Sequence, residues 1–327
     1  MTLRWGILGA GGIAATFTSD LQGAGLTVSA VGSRDLTKAR EFADRAGVAG
    51  AHGSYDELVA DPEVDVVYVA TPHPFHAENA LLAIAAGKHV LVEKAFTVNA
   101  AEAEKVYAAA RDAGVVVLEA MWTRYTPQSA RLREVVRSGV IGEVRLLTAV
   151  HVQSLPTDPR HRINDPALGG GALLDLGVYP VSFADDLLGE PSTVSAAATL
   201  SAQGVDARVA IQLGHASGAT AQLYAALDTS GRNTATLLGT AGRIDVDDTF
   251  YAPGGFTVRD SDDTVVERFD ADEGGLRGMH HQALELERVV AAGQHESPLL
   301  TAADGVGVMR TMDEVRRQIG VRYPSEG

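Results

Sequence analysis

The chain has 327 residues, 42 acidic and 27 basic side chains, and a formal net charge of −15. This length suffices for two domains with sizeable cores. The acidic balance disfavours a nucleic-acid partner, which needs a concentrated basic face. The lack of cysteine excludes disulfides and zinc–cysteine sites. No apolar run approaches the roughly 18 residues that span a membrane, and no signal peptide is recognisable, so we expect a cytoplasmic protein.

The first predicted elements are a strand, Leu3 to Leu8, and a helix, Ile13 to about Leu21. Between them lies the pattern G-x-G-x-x-A, formed by Gly9, Gly11 and Ala14. In this context the first glycine permits a tight turn, the second lets the backbone approach a pyrophosphate, and the alanine allows close helix–strand packing. The amino end of the helix then points free N–H groups at the phosphates. The pattern predicts a dinucleotide-binding turn, with a glycine-rich turn of another α/β protein as the alternative.

Strands and helices then alternate as far as Trp122. This order indicates a parallel sheet with helices on both faces and a ligand beyond the carboxyl ends of the strands. We therefore predict a doubly wound Rossmann domain over residues 1–122. Its further strands are predicted at Leu26–Ser33, Val64–Ala70, Lys88–Val92 and Val115–Glu119, and its helices at Asp35–Ala46, Tyr55–Val59, Phe75–Ala86 and Asn99–Ala113, with Asp35 and Asn99 as N-caps.

The pattern changes after Trp122. Closely spaced strands without intervening helices favour an open, mostly antiparallel sheet. Val246–Asp248 and Asp260–Asp263 are predicted surface turns. We expect an α+β domain over residues 123–327 for substrate binding and oligomerisation, whose C-terminal helix packs back on the first domain. Its helices are predicted at Pro127–Ser138, Met279–Ala291 and Ala302–Ile319, and its strands at Val144–Val152, Thr193–Leu200, Ala207–Leu213, Thr220–Ala226 and Thr234–Leu238.

Ser33 and Arg34 stand at the end of the second predicted strand, one step before Asp35. An acidic residue at this point binds the adenosine 2′-hydroxyl, whereas an arginine accommodates a 2′-phosphate. We therefore expect NADP(H) to be preferred over NAD(H). The alternative is that Arg34 is a solvated surface arginine and that Asp35 merely caps the helix.

Two further polar stretches directly follow predicted strands. Lys94, after Glu93, should emerge in the cleft, where it can orient a substrate hydroxyl or stabilise a nearby phenolate by lowering a tyrosine pKa. Lone surface lysines are nevertheless common. The other stretch is a proline-stiffened loop whose histidines either touch a ligand or simply cap a helix. It consists of Thr71, Pro72, His73, Pro74, Phe75 and His76.

Asp175 and Tyr179 are four residues apart in the segment GGGALLDLGVYP, and therefore on one face if it is helical. Leucines flank Asp175, an unusual place for a carboxylate with no function. Tyr179 can serve as the general acid–base of a carbonyl reduction, with Lys94 tuning it. The alternative is a buried tyrosine bonded to a buried aspartate. Pro180 should kink the helix or disrupt its hydrogen bonding.

These stretches together resemble the glucose–fructose oxidoreductase and inositol dehydrogenase (Gfo/Idh/MocA) family along essentially the whole chain. The resemblance rests on GILGAGGIA at 6–14, ATPHPFH at 70–76, HVLVEKAFT at 89–97, EAMWTRYTP at 119–127 and GGGALLDLGVYPV at 169–181. The last two are most similar to the branch of dimeric dihydrodiol dehydrogenases and NADP-dependent xylose dehydrogenases. In that branch the resemblance implies a Rossmann domain followed by an open sheet that often supports a dimer.

The family's motif lysine matches Lys94, its catalytic tyrosine matches Tyr179, and its preceding aspartate matches Asp175. The chain has Ala95 where the family usually has proline, which loosens a stiff turn. The implied activity is NADP-dependent hydride transfer to or from a sugar, polyol or diol, without a metal, in a homodimer or larger homo-oligomer. Trp122, Arg124 and Arg162 are candidates for the substrate pocket. The expected cofactor-binding residues are Gly9, Gly11, Gly12, Ile13, Ser33, Arg34, Thr71, Pro72, His76, Glu93 and Lys94.

Two other functions remain open at this point. One is a sensor that binds NADP(H) without turnover, which would need no acid–base group. The other is a lyase or hydrolase that uses a tightly bound nicotinamide transiently, with no net reduction. The exact substrate is not readable from the sequence, because the polar pocket residues are spread over several loops.

Overall fold

The computed structural model describes residues 2–326, which divide into two compact units. The first unit contains the chain up to Trp122 together with Leu276–Val306. The second contains Thr123–Gly275 and the residues from Gly307 onward. Each unit is built around its own sheet.

The first unit holds a six-stranded sheet in the order β3-β2-β1-β4-β5-β6, and every pair in it is parallel. The strand order reverses between β1 and β4, which makes their carboxyl ends the topological switch point. The strands are β1 (Arg4–Leu8), β2 (Thr27–Gly32), β3 (Gly50–His52), β4 (Val66–Val69), β5 (His89–Glu93) and β6 (Val117–Ala120). The helices between them are α1 (Gly12–Gly23), α2 (Leu36–Ala46), α3 (Tyr55–Ala60), α4 (His76–Ala85) and α5 (Ala100–Ala113).

Local signals position most of these elements. All four residues of β4 are buried, as expected for a parallel strand covered on both faces. The Asp35 carboxylate accepts hydrogen bonds from Thr37 N and Lys38 N, which confirms the predicted cap of α2. Asn99 likewise caps α5. The sequence prediction missed β3, a three-residue strand at the sheet edge.

The segment after Gly275 packs in the first unit through α8 (His280–Ala291); the sequence predicted that the C-terminal helix of the second domain packs against the first. The buried carboxylate of Asp20 accepts hydrogen bonds from Arg277 N (2.6 Å) and His280 N (3.0 Å). Trp5 Nε1 donates to Glu287 Oε1 (3.1 Å). These partners lie more than 250 positions apart, so no local pattern could have indicated them.

The second unit holds an eight-stranded sheet in the order β14-β13-β12-β11-β7-β10-β9-β8, in which the β7–β10 pair is parallel and the other pairs are antiparallel. This confirms the predicted fold class. The strands are β7 (Val144–Val152), β8 (Pro191–Leu200), β9 (Asp206–His215), β10 (Thr220–Ala226), β11 (Ala235–Gly239), β12 (Gly242–Val246), β13 (Gly255–Asp260) and β14 (Val265–Asp270). The helices are α6 (Pro127–Ser138), α7 (Val178–Leu188) and the later part of α9 (Ala302–Ile319).

The sequence prediction missed β12, β13 and β14. The predicted turns at Val246–Asp248 and Asp260–Asp263 adjoin the ends of these strands, and Asp263 has a φ of 66°. The strands are short and mix polar with apolar residues, and β14 has only exposed and half-buried residues at the sheet edge. Their pairing with neighbouring strands, not their own hydrophobicity, makes them strands.

The segment before β8 begins as a π-helical turn, Leu173–Gly177, and continues as α7. Pro180 is the third residue of α7. The predicted disruption of helical hydrogen bonding by Pro180 appears as the π-helical turn just before it, in which Val178 N donates to Leu173 O. Both parts pack on β10, and α7 also packs on β7. Residues 166–188 are long and apolar enough to cross a membrane, but 83% of their most apolar window is buried, as in a core helix.

Candidate functional site

The glycine-rich turn joins β1 to α1 at the switch point. Gly9 has a φ of +109°, a conformation that disfavours a side chain, and a Cβ there would lie 2.9 Å from Ala70 O. Gly9 N donates to Gly32 O (2.9 Å), which ties the turn to β2. Ala14, the third residue of α1, is fully buried. These contacts agree with the roles predicted for the first glycine and for the alanine.

The amino end of α1 is open. Gly11 is its N-cap and makes no side-chain cap bond, whereas side chains cap α2, α3 and α5. A Cβ at Gly11 or Gly12 would meet no atom within 4 Å, and Ile13 beside them is 40% exposed. Unsatisfied N–H groups in an open space at a helix amino end suit a phosphate. The turn therefore fits the pyrophosphate of a dinucleotide.

Arg34 is exposed directly after β2. Its guanidinium lies 5.8 Å from the centroid of the Phe75 ring and close enough to the Tyr55 hydroxyl to affect its pKa. Burial raises the pKa of Tyr55, and the nearby guanidinium opposes part of that rise. Ser33 is buried, and its Oγ accepts from Asp35 N (3.3 Å). Arg34 is thus an exposed cation whose side chain is held in place by two aromatic neighbours.

The loop after β4 is tied down by His76. This side chain is 1% exposed, and its Nδ1 lies 2.9 Å from Ala95 O while its Nε2 lies 2.7 Å from Thr71 O. Burial lowers the pKa of His76. These contacts connect the loop after β4 to the loop after β5 and give His76 a structural role. Pro72 lies in the first of these loops, next to Thr71. His73, 4% exposed, packs edge-on against the His76 ring at 5.5 Å.

Glu93 and Lys94 end β5 and begin the next loop. The Glu93 carboxylate is buried, accepts a very short hydrogen bond from the Tyr68 hydroxyl, and lies 3.2 Å from Lys94 N. The Lys94 side chain is half-buried and close enough to His76 to lower its pKa. Glu93 therefore positions the backbone at the strand end. The Lys94–Ala95 peptide is cis.

Trp122 belongs to the first unit and is 3% exposed. The Arg277 guanidinium lies over its ring at 5.7 Å. The Trp122 ring is thus well covered within the first unit.

In the second unit, Asp175 lies in the π-helical turn and Tyr179 in the first turn of α7, four residues later. Both guanidinium Nη atoms of Arg162 lie 3.1 Å from Asp175 Oδ1. The arginine side chain is 47% exposed and the aspartate side chain 11%. The structure thus joins two independently predicted site residues into one ion pair that is open to solvent on the arginine side.

The rings of His151 and Tyr251, which the sequence prediction missed, pack against Tyr179, and Gln153 contacts both of them. The Tyr179 ring lies 5.1 Å from the His151 ring and 4.9 Å from the Tyr251 ring, and the latter two are stacked at 4.0 Å. His151 Nδ1 faces Leu176 O at 3.1 Å, so Nδ1 carries the proton. Nε2 then accepts from Gln153 Nε2 (3.0 Å). The alternation of β7 places His151 on its buried face, the one available sequence signal.

Arg124, a predicted candidate for the substrate pocket, lies in a buried ion-pair network. Its side chain is 4% exposed and donates to Asp185 Oδ2 (2.7 Å) and Ser182 Oγ (3.0 Å). Asp186 lies 3.5 Å from Arg124 Nη1 and accepts from Arg133 Nη1 (2.9 Å). These four charged groups form a buried network that anchors the carboxyl end of α7.

Comparison with known families gives two matches on this chain. Residues 3–121 match the oxidoreductase family with an NAD-binding Rossmann fold. Residues 129–245 match the GFO/IDH/MocA C-terminal domain. The first match spans the whole six-stranded sheet, and the second spans the eight-stranded sheet except for β13, β14 and the last residue of β12.

Curated relatives cover the full chain. The trans-1,2-dihydrobenzene-1,2-diol dehydrogenase of Sus scrofa is 35% identical over 100% of this chain and 99% of its own length. The NADP(+)-dependent D-xylose 1-dehydrogenase of Hypocrea jecorina is 37% identical over 99% of this chain and 93% of its own length. Both are similar to this chain well beyond the dinucleotide-binding part.

Two solved structures show the same arrangement of elements. A 3-ketoreductase from Actinomadura kijaniata, in complex with NADP and TDP-benzene, is 28% identical, with a TM-score of 0.86 over 98% of both chains. The aldose–aldose oxidoreductase from Caulobacter crescentus, complexed with glycerol, is 26% identical, with a TM-score of 0.86 over 97% of both chains. On these matches, the chain belongs to the Gfo/Idh/MocA oxidoreductase family.

Proposed function

We propose that this chain is an NADP-dependent dehydrogenase or reductase acting on a carbinol or carbonyl of a sugar, polyol or diol. The observation that carries the proposal is the open glycine turn at Gly9, Gly11 and Gly12, which fits a dinucleotide. The substrate class is supported by the relatives named for dihydrodiol and D-xylose oxidation. NADP is supported by Arg34 at the end of β2 and by the NADP-bound ketoreductase.

Four polar residues divide the work in this proposal. The nicotinamide, when bound, accepts or supplies the hydride. Tyr179 exchanges the proton of the substrate hydroxyl, and Lys94 orients the substrate oxygen. Asp175, held by Arg162, orients the substrate or a neighbouring hydroxyl.

A substrate panel tests the proposal directly. The purified chain is offered aldoses, inositols, anhydrosugars and dihydrodiols with NADP and with NAD, and the absorbance of the reduced nicotinamide is followed. Turnover with at least one class supports an oxidoreductase. Cofactor binding without turnover on any substrate would indicate a sensor. Product formation with copurified cofactor and no net reduction would indicate a lyase or hydrolase.

Arg34→Ala should narrow the preference for NADP(H) over NAD(H) by about tenfold or more. A charge-assisted hydrogen bond to the 2′-phosphate is worth roughly 1.5–3 kcal/mol, and about 1.4 kcal/mol corresponds to tenfold in affinity. NAD lacks this phosphate, so its affinity should barely change. Titration of both cofactors measures the effect, with Arg40→Ala, an exposed arginine on α2, as the control. Equal NADP and NAD affinities in the parent protein would refute the assignment.

We also propose that the chain forms a homodimer or larger assembly through the open face of the eight-stranded sheet. Alternation along the strands turns Val150, Ala210 and Tyr224 to the face opposite the buried residues of β7, β9 and β10. Together with Ala196 and Ala197 they line a groove on this face, which Gln212 and Gln222 also border. An uncovered apolar sheet face of this kind suits an interface with a second copy.

The assembly prediction is tested by light scattering at micromolar concentration. The parent should show at least twice the chain mass of 34.2 kDa. Tyr224→Arg should shift the mass toward the monomer, because it places a charge of the same sign in both copies of a self-complementary face. A parent protein with the monomer mass would rule the proposal out.

A further inference from the structure

Asp206, the first residue of β9, has no solvent exposure and was not a predicted site residue. Its Oδ2 accepts a hydrogen bond from Leu173 N at 2.6 Å, and its buried Oδ1 has no hydrogen-bond partner among the described residues. Leu173 begins the π-helical turn that carries Asp175, and Tyr179 follows six residues later. The Asp206 side chain, which belongs to strand β9, thus holds the amino end of this helical segment.

The segment supplies no such contact itself. Ala172, its N-cap, makes no side-chain cap bond, and neither does Gly177 at the start of α7. A carboxylate at this end satisfies N–H groups and interacts favourably with the helix dipole. The chain approaches Asp206 closely at Gly171, where φ is +123° and a Cβ would lie 2.1 Å from Asp206 Oδ1. The backbone there is shaped around the carboxylate.

The opposite end of the segment is anchored by the Arg124–Asp185 ion pair. With both ends held and its length packed on β7 and β10, the segment has little freedom to shift. We propose that Asp206 is a positioning residue, which holds the amino end of the segment 173–188 so that Asp175 and Tyr179 keep the geometry for proton exchange. The inference rests on the roles proposed above for these two residues.

The surroundings of Asp206 predict a pH signature. Burial raises the pKa of Asp206 to about 7, while nearby backbone N–H groups and the charge of Arg316 oppose that rise. Arg316 also pairs with Asp313 and Glu326, and the buried Tyr323 hydroxyl is the other titratable group nearby. The charged form, which is the stronger acceptor for Leu173 N, therefore dominates above about pH 7 and disappears below it.

The contribution of Asp206 to the stability of the fold falls as the pH rises, whereas its strength as a hydrogen-bond acceptor increases. A carboxyl whose folded pKa lies above its usual value near 3.8 stabilises the fold when protonated, and this contribution is lost as the pH rises through 7. Asp206→Asn keeps an acceptor oxygen but cannot ionise. Relative to the parent, this variant should therefore gain Tm between pH 5 and pH 8.

The test is the ratio of kcat between parent and Asp206→Asn, normalised to NADP-binding sites, from pH 6 to pH 8. We expect the two proteins to converge at pH 6 and the parent to exceed the variant by about threefold to tenfold at pH 8, with an unchanged NADP Kd. Relative activity and relative Tm then move in opposite directions, which a merely structural role does not produce. A ratio that is constant with pH, or that follows Tm, would overturn the inference.

Two further variants complete the design. Thr126→Ala removes the cap of α6 in the same unit; it should lower Tm but leave kcat per binding site unchanged across this range. Tyr179→Phe distinguishes a failure of the positioning role of Asp206 from a failure of the role proposed for Tyr179. If it loses turnover while Asp206→Asn matches the parent at pH 8, only the positioning role is wrong. If it retains turnover, the proposed role of Tyr179 is wrong and the inference falls with it.

Discussion

Tyr179→Phe is expected to lower turnover on the best substrate by roughly 10²-fold or more, the usual scale for the loss of a general acid–base. The variant keeps the ring, so the packing against His151 and Tyr251 at 5.1 and 4.9 Å should survive. Only the proton-exchanging hydroxyl is lost. NADP affinity should barely change, because this hydroxyl serves the substrate and not the phosphates. Steady-state kinetics and cofactor titration measure the two effects.

Tyr224→Phe is the matched control. It removes a tyrosine hydroxyl from the same unit, but from the face of β10 opposite to buried Leu223 and Ala225, and so from the side of the sheet away from α7. Its turnover should match the parent. If Tyr179→Phe also retains near-parent turnover, Tyr179 is only a packed residue. The proton would then come from Lys94 or from water.

Arg124→Ala is expected to cost about 3–5 kcal/mol of stability, the usual effect of removing one partner from a buried ion pair. The substitution leaves the Asp185 carboxylate, 8% exposed, without its 2.7 Å partner, and removes the donor to Ser182. Asp186 keeps Arg133. The loss should appear as a shift of the urea-unfolding transition of the second unit to lower concentration.

Arg131→Ala provides the comparison, since Arg131 lies on the same helix as Arg133 but is 41% exposed and pairs with Glu267 at 2.8 Å. Exposed pairs contribute about 0–1 kcal/mol. The double variant Arg124→Met/Asp185→Leu should recover part of the loss, because it removes both charges together. Equal losses of unfolding free energy in Arg124→Ala and Arg131→Ala would show that the buried network does not anchor α7.

Sequence reasoning succeeded where a few adjacent residues decide the conformation. Asp35 and Asn99 cap their helices as predicted, because a side-chain oxygen reaches N–H groups only two or three residues away. The glycine turn follows from the lack of a side chain at Gly9, which alone permits its backbone conformation. The bounds of α6, β7, β10 and α9 agree with the predicted ones residue for residue, since each has a strong pattern and clear end signals.

The sequence did not indicate which distant side chains pair with one another. From sequence alone, Arg124 and Arg162 were equivalent pocket candidates; the tertiary structure buries the first against Asp185, 61 residues away, and leaves the second half-exposed beside Asp175. His151 and Tyr251 are 100 positions apart, and only the sheet brings their rings together. Local conformation is set by neighbours in the chain, so the sequence by itself determined most of the helices and strands and the glycine turn. Burial and pairing depend on which distant strands meet, so only the tertiary structure decided which polar residues are buried and which lie side by side.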